Sequence, residues 1–473
     1  MGVWMILLML KLVEYEGVSG MGNKNDFQFK NDEDDRRNNS ENKPWMYVII
    51  IIILIGLAIC AYSIVRVNKL NKEQNNKNAN ISMSTSPAPT LSPTVTITPT
   101  VQPATPTTAP TPIPTTTTAP TPTQPLISED DSGTTQVDNS HMSNAIKGIY
   151  VPAKKTEPGE LDKLITLAQN TEINAFVIDI KDDHGRINYS MDNDMVKQIG
   201  ASTDTISNIK ALTSTLKSKK IYLIARIVAF KDPYLADKRH DLAIKNQDGT
   251  LYRDSNNDCW VNPYNKEVWK YLVDIATQAK KDGFDEIQFD YIRFSTGDEI
   301  KNANFGEEAK NKSKQEVITE FTKYAYERLH PLGVAVSADV YGAIINSETD
   351  SRTVGQDYQS MAKYLDFICP MIYPSHFSEG NYGIKYPDME PYQLIYKVLM
   401  KSEDKLGQIP EGTHKAIVRP WLQDFTASWI THHIEYGGTE VRAQIKGVYD
   451  AGYGQWLLWN SGCNYSANGL SEN

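Results

Sequence analysis

The sequence predicts an α/β protein whose C-terminal part closes into a (β/α)8 TIM barrel, behind a single transmembrane helix and a disordered Thr/Pro-rich stalk. Three features predict it. A charge-free apolar run lies near the N-terminus, a Thr/Pro tract follows it, and from residue 145 strand-like segments alternate with amphipathic helical ones. On this basis the 473 residues divide into an N-terminal tail (1–44), a membrane span (45–67), a linker (68–144), the barrel (145–465) and a C-terminal tail (466–473).

The span rests on Trp45–Val65, 21 residues without a charge, long enough at about 1.5 Å per residue to cross a hydrocarbon core of about 30 Å. Lys43 flanks it on one side and Arg66 and Lys69 on the other, so positive charge does not orient it. An earlier apolar stretch, Trp4–Leu12, is too short to span, and Met21 ahead of a polar tail is a sensible start. Of the 24 prolines, 12 fall between Pro87 and Pro125. A Thr/Pro tract with almost no bulky apolar residue cannot bury a core and extends as a spacer. A spacer behind an anchor holds a domain away from a surface. The expectation is a single-pass protein of the cell membrane with a cytoplasmic N-terminus and an extracytoplasmic barrel.

The net charge of −10 argues against a nucleic-acid partner, which would need a basic face. Of the four cysteines, Cys60 lies in the apolar run, while Cys259, Cys369 and Cys463 share no metal-ligand spacing. They permit a disulfide without demanding one, and Cys369, inside FICPMIY, reads as a core residue. No HExxH, GxSxG or P-loop occurs, which leaves metalloprotease, serine-hydrolase and nucleotide chemistry unsupported. No cofactor or metal is expected.

Within the barrel, strands are predicted at Ile146–Ala153, Ala175–Asp182, Ile221–Phe230, Glu286–Phe294, Ala335–Gly342, Asp366–Pro374, Lys415–Gln423 and Gln455–Asn460. Helical periodicity marks Glu267–Ala279, with Val268, Trp269, Leu272, Ala276 and Ala279 on one face, and Lys314–Leu329, with Val317, Ile318, Phe321, Tyr324, Ala325 and Arg328. No Gly-rich loop follows a strand, which disfavours an open doubly wound sheet. Only 13 residues follow Asn460, so the eighth helix has no counterpart in the pattern, and residues 126–145 are the alternative cover.

Chemistry in such barrels gathers where strands end, on the inward face, and that face repeats every second residue. On strand two Val177, Asp179 and Lys181 share a phase. On strand three Arg226 stands between Ile224 and Val228. Strand four gives Glu286, Gln288 and Asp290; strand five gives Ser337, Asp339 and Tyr341. Strand seven gives Ile417, Arg419, Trp421 and Gln423, and strand eight Gln455, Leu457 and Trp459. Barrel strands are covered on both sides, so charges there need partners or a solvated mouth. A polar pocket holding Asp179, Lys181, Arg226, Asp290, Asp339 and Arg419 meets that need.

Asp290 and Asp339, on adjacent strands, are what glycosidic cleavage asks for: one carboxyl protonates the leaving oxygen while the other attacks or activates water. Arg226 and Arg419 would keep one carboxylate charged while crowding raises the other. Tyr341, Tyr373, Trp421 and Trp459 offer flat faces for sugar rings. Arg293 lies near the end of strand four, and His376 ends strand six as a substrate contact. The competing interpretation makes Asp290–Arg293 and Asp179–Lys181 structural ion pairs.

The segments AIKGIYVPA, FVIDIKDDHG, GFDEIQFDYIRF, VSADVYG, CPMIYPSH and WLLWN resemble, in order and over about residues 145–465, the glycosyl-hydrolase-like family DUF4015. The resemblance implies a TIM barrel distantly similar to α-amylases, with Asp290 at the strand-four nucleophile. Amylases carry an Arg two residues earlier, where this chain has Gln288, and a strand-five Glu, where it has Asp339. The resulting expectation is an anchored glycoside hydrolase acting on an envelope or extracellular polysaccharide, with Asp290 and Asp339 catalytic. Asp179, Lys181, Arg226, Arg293, Tyr341, Tyr373, His376, Arg419, Trp421 and Trp459 would contact substrate. The alternative is a non-catalytic carbohydrate-binding or wall-associated barrel.

Overall fold

A computed structural model describes residues 145–470. The predicted tail, membrane span and stalk lie outside them, and among the described residues no helix is long and apolar enough to cross a membrane.

Eight parallel strands close into a barrel. They are β1 (Lys147–Val151), β2 (Ala175–Lys181), β3 (Tyr222–Val228), β4 (Glu286–Asp290), β5 (Ala335–Tyr341), β6 (Phe367–Met371), β7 in two pieces (Ile417–Val418 and Trp421–Gln423) and β8 (Trp456–Trp459). Each pairs with its neighbours in chain order. β8 pairs with β1, and Trp421 of β7 pairs with Met371 of β6 to complete the ring. All eight are shorter than the sequence predicts, two of them for clear local reasons. β4 stops at Asp290 because Tyr291 turns to a φ of 47°, a left-handed conformation that no strand continues through. β7 divides around Pro420, which has no N–H to give the ladder.

Of the ten α-helices among the described residues, one leads into each of the last seven strands: α1 (Glu160–Gln169), α2 (Ile209–Ser218), α3 (Lys266–Lys281), α4 (Lys314–Leu329), α5 (Tyr358–Ala362), α6 (Pro391–Leu406) and α7 (Gly438–Asp450). α4 begins in a capping box, with Ser313 and Glu316 each satisfying the other's backbone N–H. It buries Val317, Ile318, Phe321 and Ala325 as the periodicity predicts, while Arg328 stays outside over the Tyr324 ring. After β8 only a 3-10 turn, Ala467–Gly469, follows among the described residues. Residues 466–470, expected as part of a tail, instead pack back. Ser466 binds Asp424 through its N–H and hydroxyl, and Leu470 is fully buried, which covers the side where an eighth helix would sit.

Two apolar clusters result. The larger joins the outward faces of the strands to the helices. The smaller fills the interior with Ala175, Val177, Ile224, Ala335, Phe367, Cys369, Trp421 and Leu457. This interior cluster confirms the two-residue phase for most strands. The loops after β3 and β4 are tied to each other by a two-residue antiparallel pairing, Lys245–Asn246 with Ala303–Asn304.

Candidate active site

The C-terminal ends of β2 to β5 bring Asp179, Arg226, Asp290 and Asp339 together inside the barrel. Strand register sets the heights: Asp179 lies beside Arg226, Arg226 beside Gln288, and Val228 beside Asp290. Phe289 pairs with Ala338, so the next residues, Asp290 and Asp339, are neighbours on strands about 4.8 Å apart.

Arg226 is the hub. Its Nε and Nη2 donate to Asp290 Oδ2 at 2.9 and 2.6 Å, Nη1 donates to Asp179 Oδ1 at 2.7 Å, and Nη2 also reaches Asp183 at 2.9 Å. A buried guanidinium with forked donors can serve several carboxylates at once, as a lysine cannot. The other oxygen of Asp290 accepts the Tyr291 N–H at 2.6 Å. The left-handed φ of Tyr291 is therefore local backbone strain beside a carboxylate that three donors hold in place. Asp179 receives the Tyr150 hydroxyl at 2.5 Å. Burial lifts its carboxyl above the ordinary value against the pull of Arg226.

Asp339 has a different environment. It is 2% exposed and accepts the Trp421 indole N–H at 2.6 Å. Burial, followed by the charge of Asp290, pushes its carboxyl well above the usual carboxylate range. One aspartate is thus clamped by a cation and its neighbour is driven toward the protonated form.

Aromatic rings surround this centre. Trp459 stacks on Tyr150 with centroids 4.2 Å apart, and the Arg226 guanidinium lies 5.7 Å from its ring. Tyr373 is buried in the interior cluster, His376 is exposed at the rim, and Tyr341 is half-buried beneath the Arg293 guanidinium at 4.8 Å. Arg293 itself donates to the Phe294 carbonyl and sits among Trp260, Tyr291 and Tyr341, so it is held by rings and not by Asp290.

Other expectations need correcting. Lys181 does not face the mouth. The β2–β3 register shifts between Asp179 and Lys181, and this irregularity takes Lys181 off the inward phase. Its ammonium is fully buried in an ion pair with Asp232 at 2.8 Å and donates to the Val228 carbonyl. Arg419 does face inward, but at the wrong height. It pairs with Glu286 at 3.0 Å, both side chains having no exposure, and Glu286 starts the strand that Asp290 ends, roughly 13 Å away at 3.3 Å per residue. Ser337 and Tyr222 complete that lower polar layer through Glu286. Trp421, expected as a sugar platform, is 1% exposed and serves as a donor to Asp339. Neither competing ion pair, Asp290–Arg293 or Asp179–Lys181, occurs, because Arg226 takes both aspartates.

Two participants escaped the sequence reading. Tyr150 shares the inward phase with Ile146 and Gly148 on β1, a pattern that was there to be read. Asp183 belongs to a DDHG segment that reads as a turn. Asp182 is the turn-former, accepting N–H groups from His184 and Arg186, and so leaves Asp183 free to reach Arg226. Cys259, Cys369 and Cys463 are buried and unbridged. No group of three or more His, Cys, Asp or Glu among the described residues is arranged to hold a metal.

Several solved structures resemble the chain. The glycoside hydrolase domain of PgaB (BpsB) from Bordetella bronchiseptica aligns at a TM-score of 0.52 and 11% identity, over 70% of this chain and all of that one (100%). A hypothetical protein from Ruminiclostridium thermocellum is 42% identical over 41% of this chain and 97% of its own, with a TM-score of 0.38. The spore cortex-lytic enzyme SleL of Bacillus megaterium is 12% identical over 69% of this chain and 74% of its own, at 0.41. At 11% identity the likeness to the PgaB domain speaks for the fold alone. No curated protein matches the chain. Residues 148–465 match DUF4015, described as a "putative glycosyl hydrolase domain", and the chain belongs to that family.

Proposed function

We propose that the protein is a membrane-anchored, extracytoplasmic glycoside hydrolase that cleaves glycosidic bonds of a cell-envelope or extracellular polysaccharide with Asp290 and Asp339. The supporting observation is the split between the two neighbouring carboxyls. Asp339, buried and pushed upward, is suited to give its proton to the leaving glycosidic oxygen. Asp290, gripped by Arg226 and the Tyr291 N–H, is suited to act on the anomeric carbon directly or through water. A carboxyl pushed upward beside one held in place by a cation is how one site supplies both acid and base.

In this scheme Arg226 positions Asp290 and Asp179 together, and Trp421 orients the acid. Tyr341, Tyr373, His376 and Trp459 border the space a sugar would enter. Lys181 and Arg419 support the barrel from below and outside, and Arg293 braces Tyr341. The apolar run at 45–65 and the Thr/Pro stalk support an exported barrel held off the membrane.

Full-length protein in detergent should release reducing ends from at least one glycan in a panel of bacterial wall and exopolysaccharide substrates. Asp290→Asn should release none while remaining folded, by circular dichroism, at the assay temperature. Equal release by both proteins would remove Asp290 from the chemistry.

A further inference from the structure

One aromatic feature of the mouth is not used by the carboxylates. Trp429 is the most exposed of the large apolar side chains among the described residues, at 52%. It stacks nearly parallel on Phe425, with centroids 6.0 Å apart and planes 17° from each other. Phe425 in turn meets Tyr373 at 6.0 Å and His376 at 6.4 Å. Tyr373 belongs to the interior cluster with Trp421, whose indole binds Asp339. Ring contacts therefore run from the exposed Trp429 through Phe425 to Tyr373, which shares the interior cluster with the tryptophan that binds the buried acid.

The loop that carries Trp429 follows β7, and it is not slack. At its start, the Asp424 carboxylate accepts the Ser466 N–H and hydroxyl, each at 2.8 Å. Near its end, buried Asp388 accepts the Ile434 N–H at 3.3 Å as well as the Gln423 amide at 3.0 Å. The Tyr436 N–H closes back on the Thr426 hydroxyl at 3.0 Å. Leaving an indole in water forgoes the gain of burying it, yet the loop is tied down on both sides of Trp429.

We propose that Trp429 and Phe425 form an outer sugar-binding subsite for the polysaccharide chain whose scissile bond lies at Asp290 and Asp339. This rests on the glycoside hydrolase assignment above. A pyranose presents an apolar C–H face and a hydroxylated edge, which suits a flat exposed ring with a polar group, His376, at its margin. The ring contacts run toward the catalytic pocket, so the sugar ring bound at Trp429 belongs to the same chain as the ring being cleaved. The site is thus extended over several sugar units, and affinity rises with chain length.

The test uses the full chain in detergent carrying Asp290→Asn, so that binding is read without turnover. The probes are chito-, cello- and malto-oligosaccharides from monosaccharide to hexasaccharide, titrated calorimetrically. Affinity should rise with length, and Trp429→Ala should weaken the longest bound probe on the order of tenfold while affecting the shortest far less. Trp429→Phe should recover most of the loss. Leu332→Ala, which trims another exposed apolar side chain (47%) at the opposite end of the barrel, should change no affinity. A Trp429→Ala loss that is absent or equal at every length would overturn the subsite, as would failure of the Asp290→Asn parent to bind any probe. Length-dependent binding beside a wild-type protein that releases no reducing ends would instead keep the subsite and remove the hydrolase assignment.

Discussion

Replacing Arg226 with methionine removes the one cation shared by the mouth carboxylates while keeping most of the buried volume. Three charge-assisted hydrogen bonds to Asp179 and Asp290 are lost, both aspartates being less than a tenth exposed. Breaking a buried ion pair from one side leaves an uncompensated charge and costs roughly 3–5 kcal/mol. The contact with Asp183 adds little, about 0.2–1 kcal/mol, because that side chain is 42% exposed. The two buried contacts share one guanidinium and do not add, so the expected loss at pH 7 is about 3–5 kcal/mol, a large part of a typical domain's 5–15 kcal/mol. The loss should also depend on pH. Burial already lifts Asp179 above its ordinary value with Arg226 present, and removing the cation lifts it further. A carboxyl raised in the folded state stabilises below its unfolded pKa and loses that contribution as pH rises through the folded value. The Arg226→Met deficit should therefore be largest near neutrality and shrink as pH falls toward 4. Urea unfolding followed by tryptophan fluorescence measures it. A deficit under about 1 kcal/mol at pH 7, or one constant with pH, would refute the role given to this arginine.

Other outcomes follow from the same geometry. Asp339 is raised in the folded protein, so wild-type stability should decline as pH rises from about 4 upward; Asp339→Asn should flatten that decline in melting curves and abolish hydrolysis. Trp421→Phe removes a donor that lowers the Asp339 pKa. The basic limb of the kcat/KM profile should accordingly move to higher pH, with a lower maximum as the acid loses its orientation. Arg419→Ala should destabilise by about 3–5 kcal/mol in urea unfolding, whereas Arg419→Met with Glu286→Met together should cost much less; an equal loss in the two would contradict the pairing. Tyr150→Phe keeps the stack on Trp459 but leaves Asp179 one bond short, which should cost about 1–3 kcal/mol of stability.

Phase was legible in the sequence, and height and irregularity were not. Alternation alone put Asp290, Asp339, Asp179 and Arg226 on the inner face, because a barrel strand offers only two faces. The same alternation could not say that Arg419 sits a full strand below Asp290, since height depends on strand stagger around the ring. Nor could it anticipate the register shift in β2 that carries Lys181 away to Asp232. Gln288, the position where an amylase-like arginine was missed, shows a compensation that only register reveals. Arg226 stands level with it on the next strand and delivers a guanidinium to Asp290 from there. Trp421 was an aromatic at the right strand end, but its burial and indole N–H make it a hydrogen-bond donor and not a platform. The exposed ring at the mouth is Trp429, in a loop with no periodicity to single it out.

The assignment of Asp290 as the residue acting on the anomeric carbon stands or falls with reducing-end release. Wild-type protein and Asp290→Asn, both folded by circular dichroism at the assay temperature, should be assayed side by side on bacterial wall and exopolysaccharide glycans. Release by the wild type and none above background by the variant is the predicted result. Equal release by the two, with folding unchanged, would contradict it.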